Sequence, residues 1–184
     1  MIRRFAIIGV VTGVMAGAVP VAAAETPQSA SAAAALTKLL DDLKLEAVAV
    51  RDPQDATRFI SALYMPGSQL LVVSARYPAP AVLEQRIAEG KFRDAYLDIQ
   101  GAGTRDGRFF VMDLQADGLR RDPDRNQPFD IIYKNGVDRV TYDGDWKTQK
   151  LTEAAYAERF AADDRQYARL LVALGQAISK ARPL

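Results

Sequence analysis

Hydrophobic residues repeat at helical spacing near both ends of the chain. The first stripe consists of Leu36, Leu39, Leu40 and Leu43. Its i, i+3, i+4, i+7 spacing predicts an amphipathic helix over residues 33–44. A longer stripe near the C-terminus consists of Tyr156, Phe160, Tyr167, Leu171, Leu174 and Ile178. It predicts a long helix with Thr152 as N-cap, and Asp163 and Asp164 mark a break after which Asp164 caps the restarted helix.

Between these helices, the apolar positions form shorter runs. Residues 45–52 (LEAVAVRD), 94–100 (DAYLDIQ) and 108–116 (RFFVMDLQA) are predicted to be strands, the last two joined through a glycine-rich loop. Residues 81–92 (AVLEQRIAEGKF) have the spacing of a helix that ends near Gly90.

The segment 52–80 has two interpretations. As a helix, it would start with Asp52 as N-cap and Pro53 as the first helical residue. As strands, residues 57–65 (TRFISALYM) and 69–76 (QLLVVSAR) would be joined by a turn at PGS. Local periodicity favours the helix, and the strand interpretation stays open.

A β-hairpin is predicted around Asn135-Gly136, because both central positions of a two-residue hairpin turn need a positive φ. This turn would place Ile131 opposite Val140 on the core face and Asp130 on the solvent face. Together, these elements predict the α+β class: an antiparallel sheet, of split-barrel type in one interpretation, with an N-terminal and a long C-terminal helix at its flanks.

The first residues have the composition of a secretory signal peptide. Arg3 and Arg4 precede an apolar run over residues 5–21, and three alanines follow at 22–24. We therefore expect residues 1–24 to be a leader cleaved after Ala24, residues 25–34 a flexible tether, and residues 35–184 one α+β domain. The expected location is periplasmic or secreted, and the choice between general and twin-arginine export is left open, with general secretion favoured.

Composition excludes several kinds of chemistry. The chain contains neither Cys nor His, which removes serine and cysteine catalysis that uses His, thiolate or imidazole zinc sites, and His-ligated haem. Loss of the two leader arginines would change the net charge from +1 to −1. A near-neutral surface argues against nucleic-acid binding and against electrostatic attachment to a membrane after signal cleavage.

Two aspartates are candidate catalytic residues. Asp98 and Asp113 each lie in the middle of a predicted strand, and neighbouring antiparallel strands would bring them onto one face. Two close carboxylates have separated pKa values and suit general acid and base roles in a hydrolase. The alternative, which alternation favours, is that both side chains point to solvent.

A calcium loop is the second candidate site. The pattern D-x-D-x-N-x-x-x-D places oxygen ligands at Asp122, Asp124, Asn126 and Asp130. The sixth position is Gln and the twelfth is Tyr, where a calcium loop needs Gly and Glu. We therefore favour a surface turn whose acids are neutralised by the neighbouring arginines, and no metal.

If segment 52–80 forms strands, the order of elements over residues 35–142 resembles that of the FMN-binding split barrels of the pyridoxamine-phosphate-oxidase type. This resemblance rests on the order of elements alone. It implies that FMN is a cofactor, that Ser74 and Arg76 contact its phosphate, and that the activity is an oxidoreductase.

The leading prediction of function is an exported, non-catalytic module that binds a small ligand or another envelope protein. The alternatives are a flavin-dependent oxidoreductase, which would use Ser74 and Arg76, and a carboxylate-based hydrolase, which would use Asp98 and Asp113. The identity of the ligand and the oligomeric state, a dimer among the options, are left open.

Overall fold

The computed structural model describes residues 28–76, 82–101, 107–121, 126–134 and 138–182. The helices in these ranges are α1 (Gln28–Asp42), α2 (Val82–Ala88), α3 (Phe92–Gly101) and α4 (Glu153–Ala181). The strands are β1 (Ala47–Asp52), β2 (Asp55–Met65), β3 (Leu70–Arg76), β4 (Gly107–Asp113), β5 (Ile131–Lys134) and β6 (Asp138–Val140).

The strands form one sheet in chain order, and each neighbouring pair is antiparallel. The sheet is open, with β1 and β6 at its edges. The predicted α+β class is confirmed, with the N-terminal helix α1 and the long helix α4 at the flanks. Antiparallel neighbours in chain order need no crossover connection. The two long connections are the segment that contains α2 and α3 and residues 114–130 between β4 and β5.

The main core lies on one face of this sheet, which we call the inner face. Helices α1 and α4 pack against each other, and α4 contacts β1, β2 and β3. The sheet contributes Val48, Val50, Ile60, Ala62, Leu71, Val73, Val111, Ile132 and Val140 to this core. The helices contribute Leu36, Leu40, Tyr156, Tyr167, Leu171 and Leu174. Complete burial of each large apolar side chain contributes about 1.5–3 kcal/mol, so packing stabilises α4 more than its intrinsic propensity does.

The opposite, outer face of the sheet is covered over a smaller area. Helix α3 packs mainly on β1, and α2 packs on α3. A second, small cluster of Ala49, Phe59, Leu83 and Ala95 forms between these helices and the first two strands. The described helices therefore cover β1, and β2 around Phe59, on both faces.

The helical interpretation of segment 52–65 is wrong, and the strand interpretation is right. Strand β2 pairs with β1 along one edge and with β3 along the other. Ile60 is buried in the main core, and its neighbour Phe59 is buried in the small cluster. Because Phe59 and Ile60 are buried on opposite faces of β2, apolar residues fill consecutive positions there and the period of two disappears from the sequence.

The predicted strand at 94–100 is also wrong, because Phe92–Gly101 is helix α3. Phe92, Ala95 and Tyr96 have i, i+3, i+4 spacing, and Phe92 and Ala95 are completely or almost completely buried. The helical signal was present but begins two residues before the segment that was interpreted as a strand.

The predicted hairpin exists, but its register differs by one residue. Val140 lies opposite Ile132 rather than Ile131, and Lys134 lies opposite Asp138. Three residues, 135–137, which lie outside the described ranges, therefore separate the paired positions. Because side chains alternate between faces, this shift places Ile132 and Asp130 on the inner face, and Asp130 is buried instead of solvent-facing.

The extents of the two flanking helices, α1 and α4, differ from expectation. Helix α1 begins at Gln28, so the expected flexible tether over 25–34 is wrong from Gln28 onward, and the leader and residues 25–27 lie outside the described residues. Helix α4 is continuous through Asp163 and Asp164. Its predicted N-cap is confirmed, because the side chain of Thr152 accepts a hydrogen bond from the backbone of Ala155.

Candidate functional site

Asp113 ends β4 on the inner face and is completely buried. Its carboxylate accepts hydrogen bonds from the backbone N–H groups of Gln115 (3.4 Å), Asp117 (3.2 Å) and Gly118 (2.9 Å). The hydroxyl of Tyr167 on α4 donates a fourth, at 3.1 Å. Burial raises the pKa of Asp113, and these donors oppose the rise. This carboxylate holds the following loop, residues 113–121, in place.

Asp130 holds the same loop from its other side. One carboxylate oxygen accepts from the N–H of Leu114 and the other from the N–H of Arg120, both at 3.1 Å. Burial raises the pKa of Asp130 to about 6, with a further contribution from the charge of Asp113. Both carboxylates therefore accept hydrogen bonds from backbone donors of the loop, which is a structural role.

Asp98 lies on the opposite side of the sheet from Asp113 and Asp130. It is on α3, which covers the outer face, whereas Asp113 faces α4 on the inner face. The Asp98 carboxylate forms an ion pair with Arg86 of α2. The structure therefore does not bring the two candidate catalytic carboxylates together, and the sheet separates them.

The candidate calcium ligands are likewise not assembled in the described residues. Asp122 and Asp124 lie outside them, Asn126 is exposed, and Asp130 is occupied by two backbone N–H groups. Within the described ranges, no group of three or more acidic side chains has an arrangement that could hold a metal ion.

Two buried acids of α4, Asp163 and Asp164, have structural roles that the sequence pattern did not predict. Asp164 accepts hydrogen bonds from the N–H groups of Gln28 (2.7 Å) and Ser29 (3.0 Å) and from the Ser29 hydroxyl (2.5 Å). It therefore caps the N-terminus of α1 from another element. Asp163 accepts from the hydroxyl of Tyr142 and pairs with Lys134, both at 2.5 Å. The position of these acids within the apolar stripe of α4 was the one feature of the sequence that indicated their burial.

Two clefts lie beside these elements. A cleft of about 490 Å³ separates α1 from the 113–121 loop. Its charged lining consists of Lys38, Asp41, Asp42 and Asp117, and Lys38 is paired with Asp42. A smaller cleft, of about 360 Å³, lies along α4 beside Arg165 and Arg169. Arg169 is held by the buried carboxylate of Asp52. In both clefts, charged side chains are thus partly neutralised by their neighbours.

A polar cluster of Ser61, Ser74 and Arg76 lies on the outer face. The two serine hydroxyls share a hydrogen bond of 2.8 Å, and Arg76 Nε donates to Ser74 Oγ at 3.0 Å. All three residues are buried, Arg76 being 5% exposed. Burial lowers the pKa of Arg76, which the nearby phenol of Tyr96 on α3 opposes. The structure therefore places Ser74 and Arg76, the pair predicted for a phosphate, side by side.

Beside this cluster, the outer face of β2–β5 carries an apolar surface that we call the outer strip. It consists of Leu63, Val72, Phe110, Met112, Ile131 and Tyr133. All six side chains are partly exposed, and they belong to neither core cluster. The rings of Phe110 and Tyr133 pack edge to face, with centroids 6.0 Å apart. Ser74 lies opposite Phe110 in the β3–β4 register, so the strip directly adjoins the polar cluster.

No protein-family model matches the chain, and comparison with curated proteins and with solved structures finds no significant similarity. Among the described helices, none combines the length and the apolar character needed to cross a bilayer. A fold class alone does not determine a function, so any proposal has to rest on the geometry of the site.

Proposed function

We propose that the chain is an exported, non-catalytic binding module and that the outer strip is its binding surface. The main support for this proposal is that three strands are apolar on both faces although the described helices cover only one face. Strands β3, β4 and β5 contain the apolar runs LLVV, FFVM and II, which are typical of strands covered on both faces. Over these strands, the described helices cover only the inner face.

Energetics supports a binding role for this surface. An apolar patch on a soluble protein costs free energy in contact with water, and large contiguous patches are typical of interaction sites. The six side chains of the outer strip lie on four adjacent strands of a rigid sheet. A rigid surface loses little conformational entropy on binding, which favours affinity.

The remaining chemistry supports binding rather than catalysis. The chain has no Cys and no His, and the buried carboxylates of Asp113 and Asp130 are held by backbone N–H groups of one loop. A general base must lie within reach of a substrate proton, and these two carboxylates are buried and bonded within the fold. Export is supported by the arrangement of residues 1–24, in which two arginines, an apolar run and alanines follow one another.

The uncharged fluorophore 1-N-phenylnaphthylamine tests this proposal on the purified chain. Its fluorescence is expected to rise on binding to the outer strip, and Phe110→Lys is expected to weaken binding by at least tenfold. The matched control is Val172→Lys on α4, where the side chain is 48% exposed and lies outside the strip. If wild type and Phe110→Lys bind the probe equally, the outer strip is not the binding surface.

The flavin-dependent oxidoreductase remains a second candidate, because Ser74 and Arg76 are adjacent, buried and hydrogen-bonded. A phosphate needs a cation and hydrogen-bond donors, which this pair supplies. FMN at a hundred times its dissociation constant should stabilise the fold by about 2.7 kcal/mol. Colourless protein whose melting temperature does not respond to FMN would eliminate this candidate.

A further inference from the structure

At the outward strand positions beyond Phe59, the charged side chains have one sign, and the acids of α2 and α3, such as Asp98, pair with Arg86 or Arg51. From Phe59 to Arg139, the outward positions of β2–β6 carry no Asp or Glu among the described side chains, and they include Arg76 and Arg139. The acids that end the strands, such as Asp113, lie on the inner face. Anions are therefore attracted to the outer face of these strands rather than repelled from it.

The polar cluster and the outer strip are continuous. Ser74 of the cluster is directly opposite Phe110 of the strip, and side chains at such paired positions are about 5 Å apart. Arg76 Nε contacts Ser74 Oγ. A ligand that contacts Arg76 with a charged group can therefore lay an apolar group on Phe110 without a gap.

Helix α3 forms a wall beside this surface. It packs on β1, and its Tyr96 lies near Arg76, so the polar cluster lies at the foot of the helix. A helix is about 10 Å thick, and the strip extends about 14 Å across four strands. A flat lipid bilayer does not reach the foot of such a wall, whereas one extended chain does.

We propose that the outer strip binds a single-chain anionic amphiphile, a molecule of the fatty-acid type, with its head group at Arg76 and its hydrocarbon chain across Phe110 and Tyr133. This inference rests on the proposed binding function and specifies the class of ligand. The guanidinium is already removed from bulk water, so a carboxylate beside it gains a charge-assisted hydrogen bond in surroundings of low dielectric constant.

The experiment compares three probes of equal chain length: dodecanoate, dodecanol and dodecyltrimethylammonium. Each displaces 1-N-phenylnaphthylamine from the purified chain at concentrations below micelle formation. Dodecanoate is expected to act at a concentration at least tenfold lower than dodecanol, and the cation is expected to act at the highest concentration. Arg76→Gln should abolish the preference for the anion, while Arg76→Lys should retain part of it. Arg165→Gln, the same substitution at an exposed position of α4 on the other side of the sheet, should leave it intact.

Four other outcomes would each overturn the inference. Equal displacement by dodecanoate and dodecanol in the wild type refutes the anion preference, even if Arg76→Gln fails to fold, and it leaves the proposed function standing. Absence of any response to 1-N-phenylnaphthylamine refutes the proposed function itself. Sedimentation with phosphatidylglycerol vesicles but no response to dodecanoate favours a membrane surface. A dimer that Phe110→Lys dissociates, and that dodecanoate does not affect, identifies a second copy as the occupant.

Discussion

Replacing Asp130 with Asn removes a buried carboxylate whose pKa lies within the range in which the stability of the fold can be measured. Burial raises this pKa from 3.8 to about 6, and the charge of Asp113 adds to the effect. The folded chain therefore binds a proton at Asp130 more tightly than the unfolded chain does. Its contribution to stability is fully present below pH 3.8 and is lost as the pH rises through 6.

The magnitude follows from the size of the shift. A shift of about two pKa units corresponds to about 3 kcal/mol, at about 1.4 kcal/mol per unit. The free energy of unfolding of the wild type, relative to that of Asp130→Asn, is thus expected to fall by about 2 kcal/mol from pH 4 to pH 7, because the unfolded chain is already partly ionised at pH 4. The physical reason is that the wild type must hold a charge beside Asp113 at neutral pH, whereas the Asn variant does not.

Urea denaturation followed by circular dichroism at pH 4, 5, 6 and 7 measures this difference. Asp138→Asn, which removes an exposed carboxylate from β6, controls for the change in net charge. A difference between wild type and Asp130→Asn that stays constant, or that grows in favour of the wild type as the pH rises, would show that the hydrogen bonds from Leu114 and Arg120 outweigh burial.

Four further substitutions test the fold. Asp164→Ala leaves the first N–H groups of α1 without their acceptor and should cost about 3 kcal/mol in urea denaturation. Gly118→Ala should cost about as much by the same measurement, because φ is +91° and a Cβ would lie 2.4 Å from the backbone nitrogen of Ala30. Val111→Ala should cost about 2 kcal/mol and Met112→Ala less than half of that, since only the first side chain lies in the main core. Equal costs would contradict the assignment of the two faces.

The sequence was sufficient to predict an element when only one face of that element is buried. Helix α4 has one apolar stripe and one solvent face, and its existence and its Thr152 cap were predictable from spacing, although the predicted break at Asp163 and Asp164 does not occur. The α+β class followed in the same way. The same logic failed at β2, where Phe59 and Ile60 are buried on opposite faces, because such a stretch has no alternation of apolar and polar residues.

The candidate site shows a similar division. Ser74 and Arg76 were named from their place in the order of elements, and the structure does bring them together, because they are two residues apart on one strand. Asp98 and Asp113 were paired on the assumption that both lie on strands. Because Asp98 lies on helix α3, that assumption is wrong, and the sheet lies between Asp98 and Asp113.

The buried acids could not have been assigned from sequence, because their partners are distant along the chain. Asp164 contacts Ser29, 135 residues away, and Tyr167 contacts Asp113, 54 residues away. A single-residue shift in the hairpin register likewise moved Asp130 from the solvent face to the inner face. Local patterns contain no information about either kind of contact.

By itself, the amino-acid sequence determined the class of the fold, the helices at its two ends and the kinds of chemistry that a chain without Cys and His excludes. These properties depend on composition and on local periodicity. Only the tertiary structure decided which faces of the strands are covered, because coverage depends on where helices pack. The outer strip and its neighbouring Arg76 therefore became visible only after the sheet was assembled.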